Sequence, residues 1–358
     1  MRYDQRRNFC RIQEGTVSQH LKAVLVGCGS MSRTWIKTAA EIDNFDLVGF
    51  VDISEAAART RAEEYGQPDV VISTDLNAAL EQTQPDIVFD CTIPEAHTHV
   101  TLTALQHGAH VLGEKPLADS MEHARQMIEA ADKAGKVYAV MQNRRFDPNI
   151  RRLRTFIESG SIGPLTMLNS DFFVGAHFGG FRDHMEHVLL LDMAIHTFDA
   201  ARFISGADPV SVYCKEWNPA GSWYDHDASA VCIFEMSNGL IYNYRGSWCA
   251  EGLRTTWECD WRVVGQRGSV LWHGDERMQA QVVSGNEGFF RPVDDVEITA
   301  EVAPSQTGGH TGLIKDYVDA IRTGRTPETI ASDNIKSLSM VFSAIESART
   351  GKVVDCAV

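Results

Sequence analysis

A lysine stands at the end of a short apolar segment, in a setting that suits chemistry. The segment "AHVLG" runs directly into Glu114, Lys115 and Pro116. Proline fixes its own φ and disfavours helical geometry in the residue before it. Lys115 is therefore predicted to be held in a stiff turn at the end of a strand, where its ammonium group is either catalytic or an ordinary surface charge.

A second set of ionisable residues lies in an apolar segment, "LLLDMAIHTFD". Asp192, His196 and Asp199 are spaced i, i+4 and i+7, which predicts that all three share one helix face. A histidine accepts a hydroxyl proton at neutral pH, and a carboxylate one turn away can position it. A core histidine with satisfied hydrogen bonds is an equal alternative. A metal site is a further alternative, with ligands from His184, His187, Asp192 and His196.

The segment "VLVGCGSMS" places Gly27, Gly29 and Ser32 in a G-x-G-x-x-S pattern between a predicted strand and a predicted helix. Such glycines let backbone amides approach a pyrophosphate at the helix N-terminus, although alone they also fit an ordinary turn. Asp52 ends the next predicted strand, where a carboxylate accepts hydrogen bonds from ribose hydroxyls. No arginine follows Asp52 directly, which favours NAD over NADP. Together these features predict a dinucleotide site.

Another strand end carries Pro94 and His97, in "CTIPEAHTH". Open parallel sheets bind ligands at the edge formed by the carboxyl ends of their strands. His97 is therefore a candidate cleft residue, and a capping or surface histidine at a helix start is the alternative.

The pattern of elements predicts how these residues are brought together. Between residues 21 and 141 short apolar strands alternate with helical patterns, which is typical of a doubly wound parallel sheet covered on both faces. From residue 142 onward there are longer alternating strands, hairpin turns, one long helical pattern over 186–206 and two C-terminal helical stretches. This second part predicts an α+β domain built on an open, mostly antiparallel sheet.

Composition excludes several classes of protein. The 358 residues include 33 Lys plus Arg against 48 Asp plus Glu, a formal net charge of −15, without a long basic run. Nucleic acid and anionic membranes are therefore poor partners, and no apolar run approaches the roughly 20 residues of a membrane span. The eight cysteines contain no C-x-x-C pair, which argues for a reducing compartment. With no signal-peptide pattern at the N-terminus, a cytoplasmic protein is predicted.

Taken together, the motifs resemble the glucose–fructose oxidoreductase/inositol dehydrogenase family, often called Gfo/Idh/MocA. "GCGSMS", "VDIS", "TIPEAHTHV", "GEKPLA", "QNRRFDP" and "LDMAIHTFDAAR" occur in the family's order and approximate spacing, over nearly the whole chain. Ser32 stands where the family usually has Gly or Ala, and Ala194 where Gly is frequent. The resemblance implies three parts: an N-terminal extension (1–20), a Rossmann dinucleotide-binding domain (21–141) and an α+β substrate-binding and oligomerisation domain (142–358), with C-terminal helices packing back toward the Rossmann domain.

The resemblance also implies roles for individual residues. The implied cofactor contacts are Gly27, Gly29, Ser30, Met31, Asp52, Ile53, Pro94, His97, Glu114, Lys115 and Asn143. The implied substrate contacts are Lys115, Arg145, His184, Asp192 and His196. Lys115, with a cis bond to Pro116, would lie beside the reacting carbon, His196 would be the acid/base, and Asp192 would assist. No metal is implied.

The function implied by the resemblance is NAD(P)-dependent oxidation of a secondary hydroxyl of a sugar, sugar derivative or cyclic polyol, or the reverse reduction. NAD is favoured over NADP, and a homodimer or homotetramer would form through the open sheet. One alternative is an NAD-dependent glycoside hydrolase of the same fold. Another is a non-catalytic dinucleotide-binding regulator, although such a protein would not need Lys115, Asp192 and His196.

Overall fold

In a computed structural model that describes residues 19–66, 69–299 and 301–358, six short strands form a parallel sheet. The strands are β1 (Leu21–Val26), β2 (Phe45–Val51), β3 (Val71–Ser73), β4 (Ile87–Asp90), β5 (His110–Gly113) and β6 (Tyr138–Val140). Their order is β3-β2-β1-β4-β5-β6. The order reverses between β1 and β4, and a ligand cleft is expected at the carboxyl ends of these two strands. Most of the predicted extension 1–20 lies outside the described residues.

Five helices connect these strands and cover both faces of the sheet. They are α1 (Ser32–Ala40), α2 (Glu55–Tyr65), α3 (Leu76–Thr83), α4 (Pro94–Gln106) and α5 (Met121–Ala134). The side chains of Ser54, Asp75 and Ser120 accept hydrogen bonds from the first turns of α2, α3 and α5, where helix amides lack intrahelical partners. The predicted doubly wound sheet is confirmed.

The second sheet has nine strands and is mixed. They are β7 (Leu165–Phe173), β8 (Pro209–Trp217), β9 (Ser229–Met236), β10 (Ile241–Ser247), β11 (Asp260–Gly265), β12 (Gly268–Trp272), β13 (Met278–Val283), β14 (Val293–Val296) and β15 (Val354–Asp355). The order is β14-β13-β12-β11-β7-β10-β9-β8-β15. Of the described neighbours, β7 and β10 pair in parallel and the others are antiparallel. The predicted open, mostly antiparallel sheet is confirmed, but β13, β14 and β15 were not predicted.

Four further helices accompany this sheet: α6 (Pro148–Glu158), α7 (Ile195–Ser205), α8 (Gly309–Thr323) and α9 (Ala331–Thr350). α8 packs against α1, and its Leu313 and Tyr317 join the buried cluster that contains Trp35 and Phe89 of the first sheet's core. α9 contacts both β8 and β6. The C-terminal helices therefore bind the two sheets together. In the described part of the chain, none of the helices has the length and apolar character to cross a membrane.

The helix predicted over 186–206 is present, but the geometry of its first part differs from that of an α-helix. Leu189–Ala194 form a π-helix, and the α-helix begins only at Ile195. A π-turn bonds i to i+5 and holds more residues than an α-turn. Asp192 lies in the π-helix and Asp199 in the α-helix, and their two carboxylates have no hydrogen-bond partner in common.

A buried ion-pair network joins the helices of the second part. Asp199, 1% exposed, accepts hydrogen bonds from Arg145 Nε at 2.8 Å and Nη2 at 2.7 Å, and from Ser337 Oγ at 2.7 Å. Arg145 also reaches Asp333 at 3.2 Å. Burial opposes ionisation of Asp333, but Arg202 and Arg145 lower the pKa of this carboxyl to about 2. The charges are thus compensated where α7 meets α9.

Replacing Asp199 by asparagine tests this network. Asn keeps the shape of the side chain but removes the charge, so Arg145 loses its main buried partner. Breaking a buried ion pair from one side typically costs about 3–5 kcal/mol, and we expect a loss of that size in the free energy of unfolding, measured by urea denaturation. Glu129→Gln, which breaks an exposed pair with Lys133, is the control. Equal effects of the two substitutions would contradict the stabilising role of Asp199.

Candidate active site

The loop between β1 and α1 presents unbonded amides at the carboxyl edge of the first sheet. Gly27 has φ +86°, and a Cβ there would lie 2.7 Å from the Cys91 backbone, so the position requires glycine. A Cβ on Gly29 would project into open space. The backbone amides of Gly29, Ser30 and Met31 have no hydrogen-bond acceptor in the described part of the chain. With the N-terminus of α1, they form an arrangement suited to an anion.

Asp52 lies beside this loop at the end of β2. Its Oδ2 accepts a hydrogen bond from the Cys28 amide at 2.7 Å, and its Oδ1 accepts one from the Ser54 amide at 2.8 Å, which fixes the carboxylate. The neighbouring Ile53 side chain is 99% exposed, and Met31 is also exposed. Exposed apolar side chains next to a carboxylate and free amides suit a ligand with a flat ring and an anionic group.

His97 is buried against an acid. It is 1% exposed, and its Nδ1 lies 2.8 Å from Asp90 Oδ2. Burial opposes the imidazolium charge, but Asp90 raises the pKa of His97. Its Nε2 is buried without a hydrogen-bond partner among the residues that the structure describes. The alternative of a surface histidine is therefore wrong. Pro94 is the first residue of α4 at the same strand end.

Glu114 and Lys115 follow β5, and their side chains reach different parts of the molecule. Glu114 is buried, and its Oε1 accepts a hydrogen bond from Trp35 Nε1 at 2.9 Å. The Lys115–Pro116 peptide bond is cis. Lys115 Nζ donates to Asp192 Oδ1 at 2.9 Å and to the Asp192 carbonyl at 3.0 Å. Because an ammonium has three N–H groups, one remains for another oxygen.

Asp192 is held between two cations. Its Oδ1 faces Lys115, and its Oδ2 accepts a hydrogen bond from Arg182 Nε at 2.7 Å. Burial opposes ionisation, but Lys115 and Arg182 lower the pKa of Asp192, which is therefore an anion at neutral pH. The Arg182 guanidinium lies 5.3 Å from the ring centre of Phe178 and 4.7 Å from that of Phe181. Nothing in "FGGFRDH" distinguishes Arg182 from a surface arginine, so sequence reasoning missed it.

His196 lies beside these groups in α7 and is kept neutral. It is 9% exposed, and its Nδ1 has no hydrogen-bond partner within the described residues. Burial lowers its pKa well below the usual value, and the positive charges of Lys115 and Arg144 act in the same direction, as does His310. A neutral imidazole can accept a proton. His310 was not predicted, because a histidine after two glycines at a helix start carries no signal of its own.

Of the two adjacent arginines of "QNRRFDP", the one that acts on the site is not the one that was predicted. Arg145 was predicted to bind substrate, but its guanidinium is committed to Asp199 and Asp333. Arg144 is the one whose charge acts on His196. Both belong to the 3₁₀ turn Asn143–Phe146, in which successive side chains diverge by about a third of a turn. The sequence cannot tell which of two neighbouring arginines faces the site.

The remaining histidines have separate partners. His184 is exposed and lies 2.6 Å from Asp225, whereas His187 lies 2.6 Å from Glu216. Asp192 is bonded to Lys115 and Arg182, as described above. Among residues 19–66, 69–299 and 301–358, no group of three or more His, Cys, Asp or Glu side chains could hold a metal ion. The structure does not support the alternative metal site or a place for His184 beside Asp192.

Two family models match most of the chain. One, described as an oxidoreductase family with an NAD-binding Rossmann fold, matches residues 21–142, and the GFO/IDH/MocA C-terminal domain matches residues 150–271. The chain belongs to the Gfo/Idh/MocA family of oxidoreductases. The predicted family and enzyme class are confirmed.

Several named relatives of this Gfo/Idh/MocA protein are dehydrogenases. It is 26% identical to an inositol 2-dehydrogenase of Rhizobium meliloti, over 93% of this chain and 98% of the relative. It is 24% identical to a D-apiose dehydrogenase of Paraburkholderia graminis, over 95% and 91%. A solved oxidoreductase from Agrobacterium radiobacter, in complex with NAD+, L-tartaric acid and magnesium, has a TM-score of 0.82 at 20% identity, covering 94% of this chain and 99% of that one. The solved structure shows a shared fold.

Arg144→Gln tests the electrostatic control of His196. Because Arg144 lowers the pKa of His196, its removal should raise that pKa. Proton acceptance is lost when the imidazole is protonated, so the acid limb of the kcat/KM profile should move to higher pH, measured from about pH 5 to about pH 9.

The matched control for this test is the double variant Arg144→Gln/Glu258→Gln. Glu258 lies 3.3 Å from Arg144, and the double variant avoids leaving its carboxylate buried alone. Both variants should show the same shift, and an unmoved acid limb in both would contradict the assigned cause.

Proposed function

We propose that this protein oxidises a secondary hydroxyl of a sugar, sugar derivative or cyclic polyol, or catalyses the reverse reduction, with NAD. The observation that carries the proposal is the grouping of Lys115, Asp192 and His196 at the carboxyl edge of an NAD-binding Rossmann fold. Relatives named as inositol and sugar dehydrogenases support it. Residues 21–141 would act as the cofactor domain, and 142–358 as the substrate and oligomerisation domain.

The cleft residues fit a dinucleotide. The free amides of Gly29, Ser30 and Met31 would hold the pyrophosphate, and Asp52 would accept hydrogen bonds from the adenosine ribose, with Ile53 against the adenine. A 2′-phosphate would be repelled by the Asp52 carboxylate, which favours NAD over NADP. The rest of the cleft would be lined by Gly27, Pro94, His97, Glu114, Lys115 and Asn143. Bound NAD would supply the hydride acceptor.

The chain's own residues would handle the proton and the developing charge. His196, neutral at physiological pH, would take the hydroxyl proton. The remaining N–H of Lys115 would stabilise negative charge on the substrate oxygen. Asp192, itself fixed by Arg182, would hold the Lys115 ammonium in place by accepting two of the three hydrogen bonds that the ammonium can donate. Preorganised charge of this kind is effective because it needs no rearrangement during reaction.

Buried polar atoms in two loops next to Asp192 favour a hydroxyl-rich substrate. The Asp225 amide donates to the Asp183 carbonyl at 2.8 Å, which joins the segments around 177–187 and 221–227. Asp183 Oδ1 is buried and has no hydrogen-bond partner in the described residues, and the buried polar atoms of Trp223 and Tyr224 lie beside each other. Burial is the largest cause of the raised pKa of Tyr224, and the negative charges of Asp183 and Asp192 add to it, so Tyr224 is near both carboxylates. A polyol would supply both donors and acceptors to these atoms.

NAD reduction tests the proposal directly. We expect turnover with one class from a panel of inositols, aldoses, sugar acids and glycosides, and a preference for NAD over NADP. Lys115→Ala and His196→Asn should each lower kcat/KM by about 10²–10⁴-fold, since each removes a group that acts on the reacting oxygen. Lys133→Ala, at an exposed lysine, is the control. NADH binding without turnover on any compound would contradict the proposal and favour the glycoside hydrolase, for which cleavage of glycosides would be assayed.

We also propose a homodimer or homotetramer formed through the open sheet. Its outward face carries Met167, Tyr213, Trp217 and Ile233, each about 40–46% exposed. Tyr213 lies directly opposite Ile233 on the neighbouring strand, so these two apolar side chains are contiguous. A sheet face with exposed apolar side chains suits a self-complementary contact between two copies.

Ile233→Glu tests the oligomer. A carboxylate in the middle of an apolar interface must be desolvated, so association should weaken and the sedimenting species should become smaller at micromolar concentration. Leu253→Glu, which places the same charge on another exposed apolar residue, should leave the mass unchanged. A wild type that sediments as a monomer would contradict the proposed interface.

A cytoplasmic setting is proposed on the basis of the thiols. Seven described cysteines are free, and the Cys232 thiol donates a hydrogen bond to the sulfur of Cys214 on the paired strand at 3.5 Å, without a disulfide. Neighbouring thiols that are not oxidised to a disulfide suit a reducing compartment.

A further inference from the structure

The carbonyl oxygen of Gly29, in the glycine loop, is held from the side of α2. It accepts a hydrogen bond from Ser32 Oγ at 2.6 Å, and it accepts two from Arg61, from Nη2 at 3.1 Å and from Nε at 3.3 Å. Arg61 Nε also donates to Ser32 Oγ at 3.0 Å. The carbonyl oxygen has two lone pairs, and both are engaged by these three donors. The donors therefore fix the orientation of the peptide.

That orientation has a consequence for the next amide. In a trans peptide the C=O and N–H groups point in opposite directions. Because the Gly29 oxygen faces Arg61, the Ser30 N–H points away from Arg61. The Ser30 amide has no acceptor in the described part of the chain. Arg61 thus orients a free donor of the loop.

Ser32 and Arg61 depend on each other. Ser32 is fully buried, and a buried hydroxyl without partners would be costly. It donates to the Gly29 carbonyl and accepts from Arg61, so both of its functions are met. The serine in the third position of the glycine motif is thereby part of the support of the loop.

The charge of Arg61 is compensated within the protein. Its Nη1 donates to Glu64 Oε2 at 2.7 Å, and Glu64 also pairs with Arg33 of α1 at 3.1 Å. Arg61 is buried, and every nitrogen of its guanidinium has a protein partner. Its effect on a bound phosphate would therefore be exerted through the loop that it holds.

We propose that Arg61, acting through the Gly29 carbonyl and the Ser32 hydroxyl, is a positioning residue that sets the affinity of the glycine loop for the pyrophosphate of the cofactor. The proposal rests on the dinucleotide site proposed above. It concerns the pyrophosphate and leaves the adenosine contacts of Asp52 and Ile53 unaffected.

The test compares ligands that carry the pyrophosphate with one that does not. NADH and ADP-ribose binding would be measured by calorimetry, and adenosine by competition against NADH fluorescence. Loss of hydrogen bonds from a charged donor predicts that Arg61→Ala weakens NADH and ADP-ribose by about 10–100-fold, with adenosine unchanged. KM for NAD should rise while kcat stays nearly constant. Arg61→Lys, which retains a cation, should recover part of the affinity.

Two further variants sharpen the test. Arg59→Ala removes an exposed arginine of the same helix, paired with Glu55, and should change nothing. Ser32→Ala should weaken NADH and ADP-ribose less than Arg61→Ala, and the double variant should be non-additive, because both residues act on one carbonyl.

Several outcomes would overturn the proposal. Equal weakening of adenosine and ADP-ribose would mean that Arg61 only maintains the fold. An ADP-ribose affinity that is unchanged in both Arg61→Lys and Ser32→Ala would also contradict the proposal. This comparison remains possible even if Arg61→Ala fails to fold. If the wild type did not bind NADH, the proposed dinucleotide site would be contradicted, and with it the positioning role of Arg61.

Discussion

The contact between Lys115 and Asp192 is the interaction on which the rest of the site depends. It joins the end of β5 in the parallel sheet to the π-helical segment of the second part, 77 residues further along the chain. The ammonium is held by both the carboxylate and the backbone carbonyl of Asp192. A buried charge needs such partners, and here they come from the second part of the chain, so the cleft is assembled only when both parts fold against each other.

The same contact contributes to the protonation state of His196. Burial is the largest cause of the lowered pKa of this imidazole, and the positive charges of Lys115 and Arg144 lower it further, which keeps His196 able to accept a proton. A neutral base and an ammonium therefore coexist in a small volume, which suits removal of a hydroxyl proton together with stabilisation of the oxygen.

The glycine loop and the helix that carries His196 are both held in place by residues outside the proposed cofactor and substrate contacts. Arg61 orders the glycine loop from α2, and the Arg145–Asp199 network anchors α7, which carries His196. α8 brings His310 to the site from the far end of the chain while packing on α1. Supporting contacts of this kind decide how accurately reactive groups are held, and small displacements of such groups reduce rates strongly.

The parallel sheet, the open second sheet, the family and the placement of Lys115, Asp52 and the glycine loop at strand ends could be predicted from the sequence. These follow from local rules: strand periodicity, the proline after Lys115, and the G-x-G spacing between a strand and a helix. The sequence could not show that the charge of Arg144 and not that of Arg145 acts on His196, that the carboxylates of Asp192 and Asp199 have separate partners, or that Arg182, His310 and Arg61 contact or act on these groups. Those outcomes depend on a π-turn and on long-range pairing of buried charges, where the cost of an unpaired charge selects partners that are distant in sequence and leave no local pattern.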